Sequence, residues 1–181
     1  CGRIKELAEE FPDLSKHLLN IKHNVKDLLD PFQKGAYYNK AMGGSCMNEC
    51  AVADYIAASD AWDVLYLENM TNMGEGMAKQ YEEQTTYLLD KVCAAHPDKP
   101  VYAMTMFPIG MALDTGCDRP VKRAFALDPI LRRLAAEHPN VTVIEGDTIL
   151  TDFRNLMTDL VHFNDFGHIR VAENLAKVIR M

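Results

Sequence analysis

The chain has 181 residues, the size of one domain. Apolar residues make up 48% and charged residues 25%, the balance of a folded globular protein, not a disordered one. A formal charge of −7 argues against a nucleic-acid binder, which needs a basic face, and no apolar run approaches the roughly 18 residues of a membrane helix.

Helical and strand-like segments alternate along the chain without repeats or low-complexity tracts, which predicts an α/β domain with a parallel sheet. Residues 3–10 read as a short helix. Asp13 can cap a second over about 14–29, where Leu14, Leu18, Ile21, Val25, Leu28 and Leu29 share one face until Pro31 stops it. A strand over 36–42 runs into Gly43-Gly44-Ser45, and a helix follows over about 47–58. Residues 62–67 form a short apolar run that fits a buried parallel strand. The spacing of Met77, Tyr81, Leu88, Leu89 and Val92 predicts a helix over about 75–95, ended by His96-Pro97. A strand over 100–106 leads into a long loop, 108–120, of the kind that often carries function. A helical stretch then reaches His138, bent or broken at Pro129. A strand over 141–145 and a last helix over 167–180 complete the pattern.

Five cysteines, none in a CxxC pair, read as free thiols of a reducing compartment, which leans toward the cytoplasm. His17, His23, His96 and His138 show no partner pattern and read as surface residues. Met70, Met73, Met104, Met106 and Met111 cluster at strand ends, either as ordinary packing or as an apolar acyl pocket.

Three short segments carry chemistry. In Asp159-Leu160-Val161-His162 the carboxylate can fold back onto the imidazole, hold one ring nitrogen and leave the other free as a base. The same spacing is also common on ordinary surfaces. Gly43-Gly44 after a strand can aim a backbone N–H at a substrate oxygen, or simply form a strand-to-helix turn. Asn72, after the next strand, can donate its amide to a developing oxyanion, or cap the following helix. All three fall where open α/β sheets bind ligands, at or beyond the carboxyl ends of strands.

In this order the segments resemble the SGNH (GDSL-type) hydrolase superfamily. Gly44 matches its second-block glycine, Asn72 its third-block asparagine, and Asp159 and His162 its fifth-block Asp-x-x-His, followed by Gly167-His168. Thr71-Asn72-Met73 looks like the branch whose third block reads Pro-Asn-Met. The resemblance implies a three-layer α/β/α, flavodoxin-like sandwich with a mainly parallel sheet, as one domain over 1–181. It also implies a serine esterase or acylhydrolase acting on small acyl or carbohydrate esters. His162 would be the base, Asp159 its orienting partner, and Gly44 and Asn72 oxyanion donors. No metal or organic cofactor, and no partner beyond a small-molecule ester, is called for.

The family's first block, Gly-Asp-Ser on a central first strand, does not occur in the chain. Cys1-Gly2-Arg3-Ile4 looks like the sequel to that block. The expectation is therefore a nucleophilic serine on an N-terminal segment before Cys1, whose strand would fill the sheet between 36–42 and 62–67. Buried strand edges left without that partner would cost on the order of 1–3 kcal/mol per unpaired group. Ser45 is the alternative nucleophile, and the thiol of Cys1 a remoter one. A catalytically inactive SGNH-like binding module and a flavodoxin-like ligand binder stay open, although no GxGxxG or GxxxxGK[ST] motif occurs.

Overall fold

The computed structural model describes residue 40, residues 47–110 and residues 125–179. All belong to the second of the two units into which the chain divides, Lys40–Met181. The helices expected over 3–10 and 14–29, the strand over 36–42 apart from residue 40, and the loop beyond residue 110 lie outside the described residues.

Among the described residues three parallel strands form an open sheet in the order β1 (Leu65–Leu67), β2 (Val101–Met104), β3 (Val141–Ile144). Leu65 stands opposite Val101, and Val101 opposite Val141. Parallel neighbours need crossovers, and the helices provide them. α1 (Cys50–Ala57) precedes β1, α2 (Ala78–Ala95) joins β1 to β2, and α3 (Asp128–Ala135) lies between β2 and β3. A short α4 (Gly146–Ile149) and α5 (Asp165–Val178) follow β3.

The strands alternate between two cores, as a pleat of period two requires. Leu65, Leu67, Val101, Ala103 and Val141 pack with Ala53 of α1, Tyr81, Leu88, Leu89 and Val92 of α2, and Leu131 and Leu134 of α3. Tyr66, Tyr102, Met104 and Ile144 pack on the other face with Ile149, Leu150, Phe163, Val171 and Leu175. Successive crossovers that step the same way across a sheet place their helices on one face, so α2 and α3 share a side and α5 covers the other. The result is the α/β arrangement with a parallel sheet that the residue pattern predicts, in the three layers that the family resemblance implies. β2 is buried at all four positions, as its central place demands.

Several boundaries differ for local reasons. β2 stops at Met104, not Met106, because Met106 N–H turns away to donate to the Asp128 carboxylate at 3.0 Å. Pro129 sits in the first turn of α3, where its missing N–H costs nothing, and not in a helix interior. α5 begins at Asp165, two residues early, because the Asn164 side chain caps it by accepting the Gly167 N–H at 2.9 Å. Such a cap is worth about 1 kcal/mol.

His96 is not a surface residue. Only 7% exposed, its ring lies 2.9 Å from the Ala57 carbonyl and edge-on to Trp62, and its own carbonyl accepts from Asn140. It pins the end of α2 to the chain after α1. Met70, Met73 and Met106 sit in one core and Met104 in the other, so all four take part in core packing, and Met106 also borders a cavity with Thr105 and Asp128.

Candidate active site

Asp159 and His162 lie on the loop between the 3-10 turn Phe153–Asn155 and α5. The loop folds on its own polar groups. Asp159 Oδ1 accepts the backbone N–H of Val161 at 2.9 Å and of His162 at 3.0 Å, a turn that aspartate favours because its short carboxylate reaches two residues on. The other oxygen, Oδ2, is left 2.6 Å from His162 Nδ1. With a carboxylate as its acceptor, Nδ1 must carry a proton, so in the neutral ring it is Nε2 that presents its lone pair.

The frame around this pair is equally local. Met157 N–H donates to the His162 carbonyl at 2.7 Å, and Leu160 N–H to the Met157 carbonyl at 2.9 Å. Leu156 and Phe163 form an antiparallel bridge. The Asn164 amide donates to the carbonyls of Arg154 and Leu156 at 2.8 and 3.0 Å. Phe163 anchors the loop in the core, edge-on to Phe107 with ring centres 4.7 Å apart.

The His162 side chain is 74% exposed and that of Asp159 46%. Even so, the Asp159 carboxyl is held down at about 2, first by the hydrogen bond from His162 and then by the two backbone N–H groups. A carboxylate saturated with donors stays ionised without burial. The arrangement can therefore orient an imidazole and stabilise the imidazolium that forms when Nε2 takes a proton.

The other expected site residues are distributed differently. Gly44, Ser45 and Cys1 lie outside the described residues. Asn72 is exposed in a turn after β1, closed by Met73 N–H on the Met70 carbonyl at 2.8 Å. It does not cap α2, whose N-cap is Met77 without a side-chain bond. Among the described residues no hydrogen bond joins Asn72 to His162.

Two features were not found from the sequence. Asn69, three residues before Asn72, is buried, accepts from the Tyr81 hydroxyl at 3.4 Å, and keeps its Nδ2 without a partner among the described residues. Tyr81 is fully buried, which pushes its phenol well above its usual range. Secondly, Thr105, Asp128, Arg132 and Glu145 meet beyond the carboxyl ends of β2 and β3, on a cavity of about 270 Å³. Arg132 grips Glu145 with two bonds of 2.9 and 2.7 Å, and Thr105 donates to Glu145 at 3.0 Å while accepting the Gly146 N–H at 2.8 Å. Its members satisfy one another and tie the two strand ends together. In sequence Asp128-Pro129 reads as a bend within a helical stretch, which hides the inward turn of this carboxylate.

The sequence profile of a family described as GDSL-like lipase/acylhydrolase matches residues 29–180. A second profile, of a domain of unknown function (DUF2779), matches residues 1–47. No curated protein matches the chain. Among solved structures, a protein of Bacteroides ovatus described as a GDSL-like lipase is similar at 24% identity and TM-score 0.55, over 75% of this chain and 39% of its own. A peptidoglycan O-acetylesterase is similar at 17% identity and TM-score 0.58, over 75% and 43%. The salicylyl-acyltransferase SsfX3 of a tetracycline biosynthetic pathway is similar at 15% and 0.57, over 74% and 42%. At these identities the likeness is one of fold, and the chain spans about two fifths of each of the three.

Proposed function

Because the chain belongs to the GDSL-like lipase/acylhydrolase family, we propose that it hydrolyses small acyl or carbohydrate esters by Ser-His-Asp chemistry. The observation that carries this reading is the 2.6 Å contact between Asp159 and His162 inside the matched segment. His162 Nε2 removes the proton of a serine hydroxyl as its oxygen attacks the ester carbonyl. Asp159 keeps Nδ1 protonated and steadies the imidazolium, which then protonates the departing alkoxide. In the second half His162 draws a proton from water as its oxygen attacks the acyl-enzyme; the acyl–serine bond breaks, the imidazolium returns the proton to the serine oxygen, and the acid leaves. The Gly44 N–H, the Asn72 amide and the serine's own N–H hold the oxyanion, each donor contributing about 10²–10³ in turnover.

The exposure of Asn72 supports its part, since an amide that serves no core neighbour is free for substrate. The test is covalent labelling of the full-length protein with a fluorophosphonate. Labelling that disappears in His162→Ala supports an enzyme; no labelling, or labelling indifferent to His162, indicates a binding module. Ser45→Ala tests the nucleophile: labelling lost makes it Ser45, and labelling kept excludes Ser45 and points to another serine.

A further inference from the structure

We infer that Gly110 is a positioning residue for the Asp159–His162 pair, acting through the Leu160 peptide. The inference rests on the acylhydrolase reading above and adds a residue from a distant segment to it.

Leu160 lies between the two members of the pair. Its φ of 57° is left-handed, a conformation that costs an L-residue with a Cβ about 1–2 kcal/mol. Contacts in and beside the turn must offset that cost. The Gly110 N–H makes one of them, donating to the Leu160 carbonyl at 2.6 Å. Gly110 comes from the loop after β2, which is otherwise remote in sequence.

That approach is possible only without a side chain. A Cβ on Gly110 would overlap the Leu160 Cβ and lie 2.8 Å from its Cδ1 and 3.0 Å from its Cγ. The first of these atoms is fixed to the backbone and cannot swing away. Relief would have to come from moving the Leu160 peptide or the Gly110 backbone, and either parts the bond between them. The next two N–H groups, those of Val161 and His162, are the ones bound to Asp159 Oδ1. A shift at Leu160 therefore reaches the carboxylate and the imidazole directly. Misplacement by about 1 Å can cost about 10² in rate. Gly76, by contrast, has nothing within 4 Å of its missing Cβ.

The experiment compares the full-length protein with Gly110→Ala, Leu160→Gly and the double variant, with Gly76→Ala as control, on a chromogenic acetate ester. Gly110→Ala should lower kcat about 10–100-fold with KM changed less than about twofold. Leu160→Gly should stay near wild type, because glycine accepts the left-handed conformation. The double variant should recover to within about threefold of wild type, since the colliding Cβ is gone. The Asp159 carboxyl, followed by NMR, should titrate at about 2 in wild type and move toward the ordinary 3.9 in Gly110→Ala. Unchanged kcat in Gly110→Ala, or no recovery in the double variant, overturns the inference. If the wild type hydrolyses no ester, the acylhydrolase reading fails by itself. The titration still decides the positioning claim, which falls if Asp159 keeps its value in Gly110→Ala. Should Gly110→Ala not fold, recovery of folding and activity in the double variant supports the claim, and failure of both overturns it.

Discussion

Two aspartates beyond the sheet show how differently one side chain can be used. Asp159 and Asp128 each precede a basic residue on the same stretch of chain, His162 three residues on and Arg132 four residues on. Asp159 is exposed and receives three hydrogen bonds, and its carboxyl is held at about 2. Asp128 is 6% exposed, accepts one backbone N–H, and has its cation 3.8 Å away; loss of water pushes its carboxyl up. The donors weighed against the water lost, more than the nearness of a cation, set the direction in which each carboxyl shifts. One is built to stay charged beside a base, the other to close a turn in the core.

The sharpest way to break this contrast is to remove the base. His162→Ala should lower turnover by about 10⁴–10⁶. The melting temperature should hardly move, because the ring is mostly in water. A large loss of stability would show the ring to be structural. Asp159→Asn comes next, at about 10⁴ in kcat. Its oxygen can still take the two backbone N–H groups while its NH₂ faces the ring and imposes the wrong tautomer. Unchanged secondary structure by circular dichroism, with activity lost, is the expected pair of results. Asn72→Ala should cost about 10²–10³ in kcat at constant melting temperature. A fall in melting temperature with full turnover would make Asn72 a structural residue.

The smallest effects concern pH. The Asp159 carboxyl is depressed, so its contribution to stability is present above the ordinary value of 3.8 and is lost as pH falls toward about 2. The Asp128 carboxyl is raised, so its sign is opposite: the contribution is full below 3.8 and is lost as pH climbs through the folded value. Asp128→Asn keeps an acceptor for Met106 N–H and removes the buried charge. It should melt slightly higher than wild type at pH 7, with the gap closing toward pH 4. A variant that melts well below wild type at pH 7 would show that the Arg132 attraction outweighs desolvation.

Legibility in the sequence follows the range of the interactions. The strands of the sheet and helices α2 and α5 are readable because their patterns are periodic and their stops, such as His96-Pro97, are adjacent. The Asp159–His162 pairing is readable because both partners sit in one turn. The burial of His96 is not, since it depends on Ala57, Trp62 and Asn140, which only the fold brings together. Asn69 and Asn72 look alike on paper, two amides after one strand. Their separation into buried and exposed follows from how the turn at Met70–Met73 is closed.

The short span of the Asp159–His162 frame also bears on how the site assembles. Closing a loop of a few residues takes on the order of nanoseconds to microseconds and costs little chain entropy. The Asn72 turn must instead wait for the sheet, whose parallel pairings join segments tens of residues apart and are slow to form. The base can thus be ready before the surface it serves. Variants that disturb the strands should yield chains in which the histidine–aspartate contact still forms but lacks its Gly110 support and gives no turnover, so in this domain a bonded imidazole reports local closure and not a finished site.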